Sequence, residues 1–403
     1  MSKAEAMIRE TKRRTLSLLH NAQYRTGSYR LGAILENYDP SVCIQAIPQR
    51  VKTVTFLITR MVRFHGGQTS ILHLGTELEK QGITVCYLSL KEQSKEEMEL
   101  CAGANLPDYK GRVFPINRYM AAISKGKIKS PDVVVASSWD TVYFALKFEN
   151  SYKMYFVQDY EPYFNAFGEE YLMCRNTYLQ GLHMVSLGEW NREMILREIG
   201  PERAGALRID TVSFPYDSLG YTHIQRDFES YRGKKKLTLA VYLKFYGKRL
   251  PNLIPFMLIN TKEALAKKGI SLEVLYFGEA KTFAPKGGKN LGQLTRDEMN
   301  ELYARADFGM VASMSNISLV PYEMHAAGLP VIEFSDGSYP YFFGKETALF
   351  TNVGEKDISE QLLYAIDNPE ALKKMDEKAQ NVLKDLSWER TGKEFYSVLK
   401  GII

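Results

Sequence analysis

Apolar runs of strand length alternate with segments of helical periodicity along most of the chain. Five runs in the first half predict buried strands: residues 51–59, 83–90, 132–138, 153–159 and 183–188. Residues 71–82 have the period of an amphipathic helix between the first two runs. Apolar strands that alternate with helices are typical of parallel sheets covered on both faces. The first half therefore predicts a doubly wound α/β domain.

The pattern restarts after residues 231–236, which are polar, basic and contain glycine, as linkers do. Further strands are predicted at residues 237–245, 271–278, 307–313 and 330–334. Helices are predicted around residues 253–268, 295–305 and 318–328, on either side of Pro369 within 358–385, and around 388–399. The second half therefore predicts another doubly wound domain.

The length of 403 residues exceeds one ordinary hydrophobic core and fits two domains. We predict a basic N-terminal arm at 1–50, a first Rossmann-like domain at 51–230, a second at 231–386, and a C-terminal helix at 387–403 that crosses back to the first domain. Two such domains create a cleft between the carboxyl ends of their strands, where doubly wound sheets bind ligands.

The net charge of +5 is concentrated in the arm, whose 50 residues contain eight Lys or Arg and four Asp or Glu. A basic cluster is followed by leucines: Lys3, Arg9, Lys12, Arg13, Arg14, Leu16, Leu18 and Leu19. Such a helix can lie on an anionic membrane surface, or it can be a solvated helix that packs on its own protein. No nucleic-acid-reading module is recognisable, so we expect no nucleic-acid partner.

The four cysteines lack the spacing of metal ligands, and the beginning of the chain has no apolar signal region. No stretch approaches the ~18 uninterrupted apolar residues of a membrane span. We therefore expect a cytoplasmic protein with reduced thiols, at most peripheral on the inner face of the cell membrane.

The most informative segment is SMSNISLVPYEMHAAGLPVIEF, residues 313–334. A strand is predicted to end near Ser313, and a helix is predicted to start near Ser318. The unpaired N–H groups of that helix would face the cleft and could bind a diphosphate. One turn further, the carboxylate of Glu323 could accept hydrogen bonds from two ribose hydroxyls.

This segment, extended upstream as LYARADFGMVA, resembles the C-terminal signature of the GT4-type GT-B glycosyltransferases, which has two glutamates with seven residues between them. Glu323 matches the second glutamate, which holds the nucleotide ribose in that family. The first glutamate contacts the donor sugar and would fall at Ser315, so the chain departs from the pattern there. Ser315, Asn316 or a backbone group could substitute. The resemblance implies a nucleotide-sugar site that includes Ser315, Asn316, Ile317, Ser318, Leu319 and Glu323.

Two further segments match the family in order. VYLKFYGKRLPN places Lys244, Lys248 and Arg249 where the family binds the diphosphate, although a basic turn in solvent would look the same. NLGQLTRDEMNELY matches the segment near the nucleobase, which implies backbone contacts from Gly292 and Gln293. For Thr295 we favour a helix N-cap that pairs with Glu298.

The first half offers a glycine-rich loop, HGGQTS, between its first strand and first helix. Gly66 and Gly67 would allow a ligand to approach the backbone, and the family has such a loop near the donor phosphate and the acceptor. His65 in the same loop could contact acceptor or phosphate. His183 begins a predicted strand and is more consistent with a structural role, and His325 follows Glu323 by two residues, so it points to another face of that helix.

The motif QDYEPYF at 158–164 gathers acids and aromatic rings at the end of a strand. Carboxylates can accept hydrogen bonds from sugar hydroxyls, and rings can stack on the apolar faces of sugars. Asp159 or Glu161 could also act as a base on the acceptor. Acceptor contacts are predicted for Tyr160, Tyr163 and Phe164. The alternative is a capped turn without a ligand.

Together with SLGEWNREMI at 186–195, this motif resembles the rhamnan-building rhamnosyltransferases of S-layer glycan synthesis. That resemblance implies dTDP-L-rhamnose as the donor and a growing cell-surface or lipid-linked glycan as the acceptor. A 6-deoxy sugar is consistent with Ser315 in place of a carboxylate. We expect no metal and no other cofactor, because neither Asp-x-Asp, HExxH nor a cysteine cluster is present.

The α/β fold implied is GT-B, two doubly wound Rossmann-like domains that face a cleft. Two other functions remain open at the level of sequence: a nucleotide-sugar epimerase of the same fold, and a non-catalytic nucleotide-sugar-binding subunit of a partner enzyme. Retention of the sugar's stereochemistry is implied by the GT4 resemblance and is left open by Ser315.

Overall fold

A computed structural model of the chain describes residues 3–25, 31–36, 38–39, 41–217, 220–245, 247–354 and 357–403. The strands are β1 Thr53–Ile58, β2 Thr84–Ser89, β3 Arg112–Pro115, β4 Val133–Ala136, β5 Tyr152–Val157, β6 His183–Leu187, β7 Ile209–Val212, β8 Lys236–Tyr242, β9 Ser271–Phe277, β10 Lys289–Asn290, β11 Phe308–Met310, β12 Val331–Phe334 and β13 Leu349–Thr351.

The α-helices are α1 Lys3–Arg25, α2 Gly32–Leu35, α3 Gly66–Lys80, α4 Lys95–Asn105, α5 Ile116–Ser124, α6 Trp139–Ala145, α7 Glu169–Asn176, α8 Glu189–Ile199, α9 Pro201–Ala204, α10 Leu253–Ala266, α11 Arg296–Arg305, α12 Leu319–Ala326, α13 Tyr339–Phe343, α14 Ile358–Asp367, α15 Pro369–Leu383 and α16 Trp388–Lys400.

The described strands form two sheets whose pairings are all parallel. One sheet has seven strands in the order β3-β2-β1-β4-β5-β6-β7, and the other has six in the order β10-β9-β8-β11-β12-β13. In each sheet the strand order reverses beside the first strand, at β1/β4 and at β8/β11. Ligands of doubly wound sheets bind at such reversals, so the loops that follow β1, β8 and β11 are the natural positions for a site.

Both faces of each sheet are covered, which explains the continuous apolar runs. In β1, Phe56 packs in one core cluster with Leu72 of α3, whereas Leu57 packs in another with Trp190 of α8. In β8, Leu239 packs with Leu258 of α10, and the neighbouring residue packs on the opposite face with α11 and α12. Side chains of a strand alternate between faces, so apolar residues are needed at every position.

The predicted GT-B fold is confirmed, with two Rossmann-like parallel-sheet halves and an N-terminal helix. The short strands β3, β7, β10 and β13 were not predicted, because they have two to four residues each and all four lie at sheet edges. Helix α3 begins at Gly66 and not at residue 71, because His65 provides its N-cap.

The N-terminal arm has two parts that behave differently. Helix α1 is exposed along nearly its whole described length. The following segment packs on the first domain, where Leu31 joins a small buried cluster with Trp139 and Tyr143. Further along, the Cys43 N–H donates to the Gln180 carbonyl at 2.9 Å.

Helix α16 packs on α3 of the first sheet. The indole of Trp388 stacks on the ring of His73 with centroids 4.2 Å apart, and Gly392 lies so close to Glu77 that a side chain at 392 would overlap it. The predicted domain boundaries at 50, 230 and 386 stay predictions.

Within the described ranges, no helix is long and apolar enough to cross a membrane. The same residues contain no group of three or more His, Cys, Asp or Glu side chains that could hold a metal ion.

Candidate active site

The N-terminus of α12 follows β11 of the second domain, at one of the strand-order reversals described above. Ser318 is the N-cap residue, and its hydroxyl does not cap the helix and is buried without a hydrogen-bond partner. The first N–H groups of any helix have no partner within the helix. This helix end therefore offers donors and the positive end of a dipole to an anion. Ile317 is buried, and Leu319 is exposed.

Two buried charged side chains hold the loop between β11 and α12. Glu333 accepts from the Ser313 hydroxyl at 2.6 Å and from the Ser313 N–H at 3.1 Å, and burial raises its pKa to about 7. Arg249 donates to the Ala312 carbonyl at 2.7 Å and to the Asn316 carbonyl at 3.5 Å. Together they fix the direction in which the loop enters α12.

The placement of Arg249 corrects its predicted role. Its guanidinium is buried and its hydrogen bonds go to the loop, so the structure gives it a supporting position rather than direct contact with a diphosphate. Glu333 was not predicted from the sequence at all. The available signal was an acidic residue inside the otherwise apolar strand PVIEF, which indicates a carboxylate with buried partners.

The two lysines of the predicted diphosphate site differ in environment. The Lys248 ammonium lies 2.7 Å from the Asp159 carboxylate and 4.6 Å from the centre of the Phe164 ring, both of which belong to the first domain. Lys244 is half-buried near Glu279, whose pKa is lowered by the N–H groups of Ala280 and Phe245 and then by Lys244.

Glu323 lies on α12 in a partly exposed position, with Tyr221 and Arg296 close by. Burial raises its pKa to about 7, and a hydrogen bond from Tyr221 and the charge of Arg296 oppose that rise. The hydroxyl of Tyr216, whose pKa the charge of Glu323 helps to raise, is buried without a partner. Glu323 is thus a partly exposed carboxylate beside an aromatic hydroxyl, an arrangement that can accept hydrogen bonds from ribose hydroxyls.

The segment predicted to contact the base is held by its own backbone. Gly292 adopts a φ of +93°, its carbonyl accepts from the Gly278 N–H at 2.9 Å, and its N–H donates to Asn290 at 3.0 Å. Because the N–H and the carbonyl of Gly292 both have partners, they are less available for contact with a base than we expected. Gln293, by contrast, is exposed. The predicted N-cap at Thr295 is confirmed, with a reciprocal capping box to Glu298.

The glycine-rich loop forms the N-terminus of α3. His65 caps the helix through its ring Nδ1, which accepts from the Gln68 N–H at 3.4 Å, and the ring is exposed. A side chain at Gly66 would meet nothing within 4 Å, and one at Gly67 would touch Gln158 at 3.5 Å. Packing therefore does not explain why residue 66 is a glycine. The close approach of a ligand to its backbone stays our prediction.

The motif at 158–164 divides into an inner and an outer part. Asp159 is buried and faces the second domain, where it binds Lys248. The side chains of Tyr163 and Phe164 are about half exposed, at 47% and 52%. These two rings remain accessible to an acceptor.

Two predictions for this motif are corrected. Glu161 accepts from the Tyr155 hydroxyl at 2.6 Å and from the Trp139 N–H at 3.0 Å inside the first domain, so both of its oxygens already have partners. Its burial raises its pKa to about 8. Tyr160 is fully buried and stacks on Tyr178 at 5.7 Å. The structure gives both residues packing roles, in place of the catalytic and acceptor roles that we expected.

Two further histidines, His183 and His325, are buried and hydrogen-bonded within their own domains. His183 lies between the Tyr152 hydroxyl at 3.1 Å and the Asp210 carboxylate at 2.6 Å. His325 is buried and bonded to the Tyr339 hydroxyl at 2.6 Å, and burial lowers its pKa to about 3.

No protein-family model matches this chain, and no curated protein sequence matches it. Among solved structures, it is similar to HepE from Anabaena, solved in complex with UDP and glucose, with a TM-score of 0.63, 13% identity, and coverage of 87% of this chain and 100% of HepE. The chain is also similar to sucrose-phosphate synthase from Thermosynechococcus elongatus, with a TM-score of 0.61, 12% identity, and coverage of 87% of this chain and 99% of the synthase. A third similar structure is the pneumococcal O-GlcNAc transferase GtfA, solved with UDP and GlcNAc. Its TM-score is 0.59 and its identity 9%, with coverage of 88% of this chain and 99% of GtfA. These likenesses establish the GT-B fold.

Proposed function

We propose that this protein is a glycosyltransferase that transfers a sugar from a nucleotide-activated donor held by its second domain. The observation that carries the proposal is the pairing of an uncapped helix N-terminus at Ser318 with a partly open carboxylate, Glu323, on the same helix. That pairing provides one site for a diphosphate and one for a ribose, at the cleft edge of a GT-B fold.

On the donor side, the α12 N–H groups and the charge of Lys248 would hold the diphosphate, and Lys244 would add positive charge nearby. When the bond from sugar to phosphate breaks, negative charge accumulates on the leaving nucleotide. Fixed N–H groups and ammonium groups stabilise such charge without reorganisation. In this proposal they do the work of a metal ion, so chelation with EDTA is expected to leave turnover unchanged.

On the acceptor side, Tyr163 and Phe164 offer exposed rings to the apolar faces of a glycan. His65 and Gly66 stand at the start of α3, where the neighbouring Gly67 lies next to Gln158 of the same motif. Ring stacking supplies area and orientation, and hydroxyl contacts supply specificity. Asp159 or His65 would remove the proton from the attacking hydroxyl, or the leaving diphosphate would do so in a retaining reaction.

For the donor, we propose dTDP-L-rhamnose, on the strength of the family resemblance and of Ser315. A serine hydroxyl stands where a carboxylate would hold a sugar hydroxyl, and this suits a 6-deoxy sugar. UDP-sugars are the alternative, because HepE and GtfA were solved with UDP.

Mass spectrometry of a transfer reaction tests the function. The purified chain is incubated with dTDP-L-rhamnose, dTDP-glucose, UDP-glucose or UDP-GlcNAc and a rhamnose-containing glycan. Addition of a deoxyhexose supports the full proposal, and addition of a hexose overturns the rhamnosyl assignment. Nucleotide sugar that is isomerised without an acceptor indicates an epimerase. Nucleotide binding without turnover indicates a non-catalytic subunit.

We also propose that α1 binds an anionic membrane that carries a lipid-linked acceptor on its cytoplasmic side. At 100° per residue, one face of the helix has no charged residue except Arg25 at its end. That face consists of Ala4, Met7, Ile8, Thr11, Thr15, Leu18, Leu19 and Ala22. Lys12 and Arg14 border it on either side, where they could contact lipid phosphates. Met7 and Leu18 are about 70% exposed, so the described protein does not cover them.

Co-sedimentation with vesicles tests this contact. The full chain is expected to bind phosphatidylglycerol vesicles and not phosphatidylcholine vesicles, and to detach at high salt. Leu18→Glu places a charge on the apolar face and should abolish binding, whereas Leu16→Glu lies outside that face, about 160° from Leu18 around the helix, and should weaken binding less. Equal effects of the two variants would contradict the proposed orientation.

A further inference from the structure

Asp159 is a carboxylate of the first half with partners in both halves of the molecule. Its Oδ2 lies 2.7 Å from the Lys248 ammonium and accepts from the Ser315 hydroxyl at 3.1 Å. Its Oδ1 accepts from the N–H of Asn316 at 3.0 Å and from that of Tyr160 at 2.9 Å. We call Asp159 and its three partners in the second domain the clasp.

The clasp extends beyond the carboxylate, and three of its four residues are closed to solvent, whereas the Lys248 side chain is 30% exposed. The side-chain amide of Asn316 donates to the Gln158 carbonyl, again from the second domain to the first. Asp159, Ser315 and Asn316 are each at most 6% exposed. Hydrogen bonds to a charged group in such surroundings are stronger than neutral ones, and separating a buried ion pair leaves each charge without compensation.

The partners of Asp159 are groups that an anionic ligand of α12 would need. Lys248 provides the ammonium of the predicted diphosphate site, and Asn316 lies two residues before the N-cap Ser318. A hydrogen-bonding N–H cannot point directly at a carboxylate and at a phosphate together. Two anions at one ammonium also repel each other, strongly where water is excluded.

We propose that Asp159 is an internal anion that occupies Lys248, Ser315 and Asn316 when the donor site is empty, and that the diphosphate of the donor displaces it. The inference rests on the proposed function and adds a regulatory step to the same site. Displacement removes the clasp between the two halves, so donor binding loosens the contact between 158–159 and 315–316. The carboxylate that is released then faces the cleft where the acceptor would lie.

Calorimetric titration with free dTDP and UDP tests the competition without turnover. Asp159→Asn keeps the shape of the side chain and removes the competing charge, so it should bind nucleoside diphosphate at least about threefold more tightly than the wild type, a difference of at least about 0.7 kcal/mol. Asp108→Asn removes an equal charge from an exposed position and should bind like the wild type. A cooperative unfolding transition in each variant establishes that it is folded.

The same titrations separate the two proposals. If the wild type binds and Asp159→Asn binds equally or more weakly, the competition is overturned while the nucleotide site stands. If neither protein binds any nucleoside diphosphate, the proposed function itself fails. In a Lys248→Met background the gain from Asp159→Asn should shrink, because much of the competition acts through that ammonium. An undiminished gain would overturn the part assigned to Lys248.

Hydrogen exchange on the wild type provides a test that needs no variant. Addition of UDP or dTDP should slow exchange at 315–320, where the phosphate would bind, and should speed exchange at 158–161, where the clasp is lost. Slower exchange in both segments would mean that the ligand tightens the clasp, and would overturn the displacement.

Discussion

Each half of the molecule has a glutamate near the carboxyl edge of its sheet, and the two differ in whether the carboxylate is enclosed or partly exposed. Glu161 in the first half has both oxygens bonded within its own domain, to the Tyr155 hydroxyl and the Trp139 N–H. Glu323 in the second half is partly exposed beside Tyr221 and Arg296. Burial raises the pKa of both, to about 8 and about 7. A raised pKa alone therefore does not distinguish the glutamate proposed to bind a ligand, whereas partial exposure does.

The comparison predicts a large loss of stability at Glu161. At pH 5, Glu161→Ala should lower the free energy of unfolding by about 3 kcal/mol, because it leaves a cavity and two buried donors without acceptors. At this pH the cost of ionising the buried carboxyl is small, so the lost bonds dominate. Glu323→Ala is the matched variant and should change stability by less than about 1 kcal/mol. Thermal unfolding measures both, and equal losses would contradict the distinction.

The pH dependence of stability gives a second test of Glu161. Its pKa in the folded protein is about 8, above the ordinary value of 4.5, so the folded state binds more protons than the unfolded state between those values. Stability from this group is therefore complete below pH 4.5 and is lost as pH rises towards 8. The slope is at most about 1.4 kcal/mol per pH unit.

Glu161→Gln should reduce that slope and leave a remainder from Glu323 and Glu333, whose pKa values are raised to about 7 by burial. Glu202→Gln, at an exposed position of α9, is the control and should follow the wild type. Urea unfolding between pH 5 and 8 measures the slopes. Parallel curves for the wild type and Glu161→Gln would contradict the assignment.

Two glycines of α3 form a third comparison, and the change in binding expected for one of them, Gly66→Ala, is the smallest predicted effect. A side chain at Gly75 would overlap the buried Tyr87 hydroxyl, so Gly75→Ala should destabilise the fold by about 1–3 kcal/mol without altering the cleft. A side chain at Gly66 meets nothing within 4 Å, so Gly66→Ala should leave stability unchanged and weaken substrate binding by about threefold, or about 0.7 kcal/mol. Titration and steady-state KM values distinguish them. Unchanged binding in Gly66→Ala would remove the loop from the site.

The fold could be predicted because its signals are local. Apolar runs and helical periods located β1, β2, β8, β9, α10 and α14 to within a few residues. The four strands that were missed are short, and much of their stability comes from neighbours that are distant in sequence. The Pro369 break and the Thr295 cap were predictable because proline and a capping box act within one helical turn.

The site could be predicted only in part, because burial depends on the whole fold. The segment 158–164 was found, yet the sequence does not show that Glu161 points inward while Phe164 points outward. The bonds from Lys248 and Asn316 to Asp159 join residues far apart in the chain. Such pairing between halves has no signature in either segment alone.

The central claim is that α12 binds the nucleotide through its N-terminus and Glu323. The most direct test is calorimetric titration of the wild type and Glu323→Ala with dTDP, UDP and GDP. Loss of two hydroxyl hydrogen bonds to a carboxylate should weaken binding by about 10- to 100-fold, or 1.4–2.8 kcal/mol, with thermal stability preserved. Equal affinity of the wild type and Glu323→Ala for every nucleotide, or no binding by the wild type, would contradict the account.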